Sequence, residues 1–119
     1  MGQVPRETAW IDSLAGKNLV FTGIHPDYQQ ADLETMARRH GAGRITDDLN
    51  RKTDILVRCG HNSQWVYGSY GRKEEKVAEF QRMGLPIVII DGAGFLSVVS
   101  GRRAPVIAPH HPSPRAGLM

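Results

Sequence analysis

The chain has 119 residues, of which 40% are hydrophobic, and this size and composition suit one globular domain and exclude a disordered chain. Its longest apolar run, LPIVII at residues 85–90, is far shorter than the ~18 residues of a membrane span, and the first residues lack the apolar stretch of a secretory signal. The single cysteine, Cys59, excludes an internal disulfide, so we expect a reducing compartment, the cytoplasm, and no membrane partner.

The positive charge of the chain is concentrated at one end. The formal net charge is +3, but residues 17–101 carry eleven Lys or Arg against ten Asp or Glu. Residues 102–119 hold three arginines, no acid and four of the seven prolines, which predicts a disordered basic tail. Residues 1–13 are predicted to be an N-terminal flank, and residues 14–101 the domain. Because the domain is nearly neutral, any binding of nucleic acid by it must rest on a local site.

Strands and helices alternate between the two flanks. Continuous apolar runs of three to six residues predict buried strands, and apolar residues at helical spacing predict helices that end at glycines. The predicted segments in chain order are strand NLVFT (18–22), helix DYQQADLETMARRHGAG (27–43), strand RIT (44–46), strand TDILVR (53–58), helix RKEEKVAEFQRMG (72–84), strand PIVII (86–90) and helix DGAGFLSVVSG (91–101).

This order, β-α-β-β-α-β-α, indicates an α/β fold with a parallel sheet covered by helices on both faces. In such sheets, ligands bind beyond the carboxyl ends of the strands. The stretch NLVFTG ends its strand on Thr22 and Gly23, so these two residues mark an edge where a site is expected.

Two pairs of residues predict an anion site at that edge. The Thr22 hydroxyl can donate to a phosphate oxygen, and Gly23 lets a backbone N–H approach a ligand closely. Arg72 and Lys73 are predicted in the first turn of the second helix, where cations oppose the helix dipole unless an anion binds there. The alternative is a solvated first turn in which the following glutamates balance these charges.

Three longer stretches, LAGKNLVFTG, RITDDLNRKTDILV and KEEKVAEFQRMGLPIVIIDGAGFL, together resemble a BRCT domain over residues 14–100. Similar domains occur in bacterial NAD-dependent DNA ligases, in the large subunit of the eukaryotic clamp loader and in bacterial exonuclease-type proteins. The resemblance implies a four-stranded parallel sheet in the order 2-1-3-4. It also implies that the first and third helices lie on one face and the second helix on the other.

The resemblance further implies a phosphate-binding role in DNA replication or repair. Many BRCT domains hold a phosphate with Ser or Thr and the next Gly at the end of the first strand, and with a Lys early in the second helix. Those positions match Thr22, Gly23 and Lys73 here, with Lys76 one turn later. The clamp-loader branch, which binds DNA 5′-phosphates, has an arginine where this chain has Gln29 and Gln30, so the DNA-end interpretation is weakened.

The long loop between the second buried strand and the second helix has two interpretations. Its aromatic residues, Trp65, Tyr67 and Tyr70, could stack a base or pack a peptide side chain beside the phosphate, or they could pin the loop to the domain. Arg58, at the start of this loop, could contact the phosphate or pair with a surface carboxylate.

The sequence predicts no catalytic residues, no metal site and no cofactor. Gly92-x-Gly94 resembles a dinucleotide motif, but no second βα unit follows it, and Cys59 has no evident base. The predicted function is therefore a non-catalytic recognition module for a DNA 5′-phosphate end or a phosphorylated protein, bacterial and cytoplasmic, and nucleoid-associated if bound to DNA. Two alternatives remain open: a scaffold that binds unphosphorylated protein, and an accessory domain of a larger ligase or exonuclease.

Overall fold

The structure is a computed structural model and describes residues 10–59 and 69–107, with side chains in the second range described from Lys73 onward. Six strands and three helices form in these ranges. In chain order they are β1 (Trp10–Ile11), β2 (Leu19–Thr22), α1 (Gln30–Arg39), β3 (Ile45–Thr46), β4 (Ile55–Arg58), α2 (Ser69–Arg82), β5 (Val88–Asp91), α3 (Gly92–Val99) and β6 (Ala104–Pro105). In this part of the chain, no helix has both the length and the apolar character that crossing a membrane requires.

The central sheet has four parallel strands in the order β3-β2-β4-β5. When the strands of this sheet alone are numbered along the chain, the order is 2-1-3-4, so the predicted α/β fold and strand order are confirmed. Strands β2, β4 and β5 each contain four residues and pair along their whole length. Their carboxyl ends therefore lie at one edge of the sheet.

Each face of the sheet has its own hydrophobic core, because alternate residues of a strand point to opposite faces. One core joins α1 and α3 to the sheet through Leu33 and Phe95, and the Phe95 ring meets the edge of Phe21 at 5.3 Å between centroids. The other joins α2 to the sheet through Val77 and Phe80. The predicted arrangement of two helices on one face and one on the other is confirmed.

Both long helices begin at residues other than those predicted. Helix α1 begins at Gln30 rather than near Asp27, because the Asp32 carboxylate accepts a hydrogen bond from the Gln29 backbone N–H at 3.2 Å and closes the first turn. Helix α2 begins at Ser69 rather than Arg72, so the predicted loop ends before Ser69.

Regular structure extends beyond residues 14–101 on both sides. Strand β1 pairs with β6 in an antiparallel two-stranded sheet, with Trp10 opposite Pro105. The Arg103 guanidinium lies 4.7 Å from the centre of the Trp10 ring, and Ile107 bridges to Ile89 of the central sheet. Residues 102–107 thus pack on the domain instead of forming part of a disordered tail, while the remainder of the predicted tail lies outside the described residues.

Candidate phosphate-recognition site

Three strands present one residue each, side by side, at the carboxyl edge of the sheet. Thr22 of β2 pairs with Arg58 of β4, and Arg58 pairs with Asp91 of β5. Val20 and Leu56, two residues earlier in β2 and β4, belong to the core under α2. Because the side-chain period of a strand is two, Thr22 and Arg58 also face α2. The edge is therefore polar where the core beneath helix α2 ends.

Thr22 and Gly23 lie at this edge as the sequence predicted. Thr22 is buried, with 5% of its surface exposed, and its carbonyl accepts a hydrogen bond from the Cys59 N–H at 2.8 Å. Gly23 follows with φ of +81°, a left-handed conformation that residues with a Cβ rarely adopt. The chain thus leaves β2 through a turn that exposes backbone at the sheet edge, which is the geometry that a glycine-based anion grip needs.

A buried ion pair fastens α2 to the same edge. The Arg58 Nε and Nη2 atoms donate to the two carboxylate oxygens of Glu74 at 2.7 and 2.8 Å, in a bidentate arrangement. The Glu74 side chain is fully buried, and the Arg58 side chain is 17% exposed. Pairing was one of the two interpretations of Arg58, and the structure confirms it. The partner, however, is a carboxylate inside the protein and not the surface carboxylate expected, and the alternative of a solvated first turn does not hold for Glu74.

The ion pair determines where the predicted cations of α2 lie. Lys73 directly precedes Glu74 and is partly exposed, so its backbone adjoins the residue that pairs with Arg58 at the sheet edge. Lys76 is exposed, one turn further along α2. Arg72 lies in α2, and its side chain is outside the described part. Since α2 begins at Ser69, Arg72 is its fourth residue and Lys73 its fifth, and the predicted placement of both in a first turn that starts at Arg72 was wrong.

The predicted aromatic wall falls largely outside the described residues. Trp65 and Tyr67 lie in the range that the structure does not describe. Tyr70 was predicted in the loop but belongs to the first turn of α2, because that helix takes in Ser69, Tyr70 and Gly71.

The turn after Gly23 contains two rings that the sequence did not single out as site residues. His25 is nearly buried, and its Nδ1 accepts a hydrogen bond from the Asp27 backbone N–H at 3.0 Å. Its ring meets the edge of Tyr28 at 5.3 Å between centroids. These residues border an open cleft of about 480 Å³ between the end of β2 and the start of α1. The sequence feature that could have indicated this cleft is HPDYQQ, in which a tyrosine lies among residues typical of a solvated turn.

The glycines of the rejected dinucleotide motif have a packing role. A Cβ at Gly92 would lie 2.9 Å from the Cys59 carbonyl oxygen, and one at Gly94 would lie 2.8 Å from the Ala104 side chain. The Asp91 carboxylate accepts from the Gly94 N–H at 2.6 Å and caps α3. The pattern DGAG thus caps a helix and lets it lie close to the neighbouring chain.

Cys59 is buried at the end of β4, and burial raises the pKa of its thiol to about 11, although a hydrogen bond with the Thr22 backbone opposes the shift. A thiol in this state is a poor nucleophile at neutral pH. Across residues 10–59 and 69–107, no three His, Cys, Asp or Glu side chains lie close enough to hold a metal ion.

Comparisons by sequence relate the chain to segments of bacterial DNA ligases. No family model matches the chain. A DNA ligase of Chloroflexus aurantiacus is 33% identical over 105 residues, or 88% of this chain, and a DNA ligase of Francisella tularensis subsp. novicida is 29% identical over 85 residues, or 71% of it. The chain spans only 13% and 11% of the lengths of these two ligases.

The solved structures that resemble the chain include two of BRCT domains from XRCC1. The C-terminal BRCT domain of human XRCC1 superposes with a TM-score of 0.51 at 11% identity, covering 73% of this chain and 78% of that one. The second XRCC1 BRCT domain gives 0.52 at 12% identity, covering 93% of this chain and all of that one. The chain therefore has the BRCT fold, and the resemblance that its sequence showed to BRCT domains of DNA ligases is confirmed.

Proposed function

We propose that this chain is a non-catalytic BRCT module of DNA replication or repair that binds a phosphate group through Thr22, Gly23 and Lys73. The BRCT fold and the similarity to a short segment of bacterial DNA ligases support the setting. Because the chain spans about a tenth of those ligases, it resembles an accessory domain of such an enzyme and not the part that carries out catalysis.

One observation carries the phosphate proposal: three separate elements converge on the carboxyl edge of the sheet. Strand β2 supplies Thr22 and Gly23, strand β4 supplies Arg58, and the bond from Arg58 to Glu74 holds at this edge the helix α2, in which Lys73 directly precedes Glu74. A hydroxyl, an exposed backbone turn and an ammonium group at one edge provide the donors that a phosphate accepts. Arg72 and Lys76 add positive charge on the same helix.

The experiment is a titration of ¹⁵N-labelled protein with three ligands at physiological salt, followed by amide shifts in NMR spectra. The ligands are an oligonucleotide with a 5′-phosphate, the same oligonucleotide without it, and a phosphothreonine peptide. Phosphate-dependent shifts at Thr22, Gly23 and Lys73 are expected with at least one ligand. Lys73→Ala should weaken that binding about tenfold, as the loss of a charge-assisted hydrogen bond does, whereas Lys52→Ala, in the turn at the opposite edge of the sheet, should leave it unchanged. Equal shifts with the two oligonucleotides, together with no shifts at these residues from the phosphothreonine peptide, would rule out the phosphate site.

A second candidate, a scaffold that binds protein without phosphate, is favoured by exposed apolar side chains beside the site. Ile24, the residue after Gly23, has 77% of its surface exposed, and Tyr28 has 39%. Ile24→Ser would disrupt binding to such a partner, whereas Lys73→Ala would not, so the two variants separate this candidate from the phosphate proposal.

A further inference from the structure

The cleft between the end of β2 and the start of α1, called here the α1 cleft, carries negative charge and lies next to the proposed phosphate site. The residues that line it contribute two carboxylates, from Asp27 and Asp32, and no lysine or arginine. Those that the argument uses are Gly23, Ile24, His25, Asp27, Tyr28 and Asp32. Asp27 and Asp32 are both exposed, so their charges face the solvent in which a ligand arrives.

The same cleft has an apolar component that the fold does not use. Ile24 is 77% exposed and Tyr28 is 39% exposed, although each has a large apolar surface that folding usually covers. Tyr28 and Asp32 also border the next groove along α1, so this aromatic ring and this carboxylate lie where the two grooves adjoin. Arg39 lies in that second groove, and Arg38 beside it pairs with Glu34 on the outer surface of α1.

The cleft also continues from the proposed phosphate site. Gly23 lines it, and a second cleft of about 360 Å³ shares His25 and Asp27 with it and reaches Arg58 and Asp91. Arg58 contributes little uncompensated charge there, because its guanidinium bonds to both carboxylate oxygens of Glu74. A ligand that extends from a phosphate at Gly23 into this cleft therefore meets the carboxylates of Asp27 and Asp32.

We propose that the α1 cleft binds the flanking residues of a phosphorylated protein segment, taking a lysine or arginine side chain beside an aliphatic one. The inference rests on the proposed phosphate-binding function. An ammonium or guanidinium group would pair with Asp27 and Asp32, and the aliphatic side chain would cover Ile24 and Tyr28. The cleft disfavours a DNA strand, because every nucleotide beyond the first brings another phosphate toward these carboxylates.

The test begins with selection from a phosphothreonine peptide library that is degenerate on both sides of the phosphorylated residue. The wild-type chain is expected to select lysine or arginine together with an aliphatic residue. Two synthetic peptides that differ only in lysine or glutamate at the selected position then give dissociation constants by calorimetry, next to a 5′-phosphorylated oligonucleotide. The lysine peptide should bind about tenfold more tightly than the glutamate peptide, since each exposed carboxylate contributes a factor of about three.

Asp27→Asn with Asp32→Asn should reduce this preference to about twofold, because both negative charges are lost. The fold should persist, since the amide oxygen that replaces the Asp32 carboxylate can still accept from the Gln29 N–H. The matched control is Asp47→Asn with Asp48→Asn, two exposed carboxylates that follow β3, and it should keep the full preference. Selection of acidic residues, equal affinity for the two peptides, or tighter binding of the oligonucleotide than of the lysine peptide would overturn the inference.

Lys73→Ala separates the two proposals. If it weakens binding of every phosphorylated ligand about tenfold while the wild-type chain shows no preference for lysine, the phosphate proposal stands and the cleft inference fails. If Lys73→Ala retains the lysine peptide as tightly as the wild type does, the phosphate proposal fails. In that case an unphosphorylated lysine peptide that binds wild type, and binds the Asp27→Asn, Asp32→Asn variant more weakly, still supports the cleft.

Discussion

The Arg58–Glu74 ion pair gives the sharpest prediction, because one of its partners has no access to water. Replacing Arg58 with methionine keeps most of the length of the side chain and removes the two hydrogen bonds that Arg58 donates to the Glu74 carboxylate. Glu74 is fully buried, so water cannot take the place of the lost hydrogen bonds without local opening of the structure.

The magnitude follows from the two bonds that are lost. Hydrogen bonds to charged groups contribute about 1.5–3 kcal/mol each, and breaking a buried ion pair from one side costs about 3–5 kcal/mol. We therefore expect Arg58→Met to lower the free energy of unfolding by about 3 kcal/mol. Since small domains are stable by about 5–15 kcal/mol, the variant should still fold. Glu74→Gln should cost less, because the Arg58 side chain is 17% exposed and can turn its charge toward water.

Urea denaturation followed by circular dichroism at pH 7 measures these differences by linear extrapolation. Glu75→Gln is the matched control, since Glu75 is exposed on the next position of α2, and it should change stability by less than about 0.5 kcal/mol. The double variant Arg58→Met, Glu74→Leu removes both charges and should recover most of the loss. A single Arg58→Met variant as stable as wild type, or a double variant less stable than either single one, would refute this reasoning.

Three further predictions test the packing around the site. Gly92→Ala should lower the free energy of unfolding in urea by about 1–3 kcal/mol, because the added methyl group would meet backbone of Cys59 at 2.9 Å, and unchanged stability would contradict this. Burial raises the pKa of the Cys59 thiol to about 11. Iodoacetamide should therefore alkylate the native protein at pH 8 about a hundredfold more slowly than the urea-unfolded chain, and the native rate should rise as the pH approaches 11. Equal alkylation rates for the native and unfolded chains would refute this prediction. Arg103→Ala should cost about 0.5–1 kcal/mol in thermal unfolding through its lost contact with the Trp10 ring, and Arg103→Lys should cost less than Arg103→Ala.

The sequence predicted the central sheet well because its three four-residue strands consist mainly of consecutive apolar residues. Strands β2, β4 and β5 are largely buried on both faces, and strands buried in this way have continuous apolar sequences. By contrast, β1 and β6 have two residues each, which is too short for any periodicity, and they form only because the two ends of the domain lie side by side. Their pairing is a tertiary contact between residues almost a hundred positions apart, which local patterns cannot indicate.

For the site, the sequence predicted the strand end and missed the ion pair. Thr22 and Gly23 follow a recognisable buried strand, so their place at the edge could be derived from the parallel topology. Glu74 lies in the charged segment RKEEK, and a charged residue in such a segment is expected to be exposed. Its burial depends on Arg58, sixteen residues earlier, and only the three-dimensional packing of α2 on β4 brings the two together. The start of α2 was missed for a related reason, since Ser69, Tyr70 and Gly71 carry no apolar periodicity.

The buried pair also bears on what the site can bind. Glu74 neutralises the charge of Arg58 inside the protein. Among the described residues, the cations that could serve the site are then Lys73 and, one turn away, Lys76. A single ammonium and a backbone turn suit one phosphate group, and they do not provide the row of cations that a run of DNA phosphates requires. The positive charge that the composition shows lies mostly in residues 102–119, where it can add salt-sensitive, sequence-independent contacts. Binding at Lys73 should therefore depend on the phosphate itself, whereas any broad attraction to DNA should depend on the tail and fall steeply as salt rises.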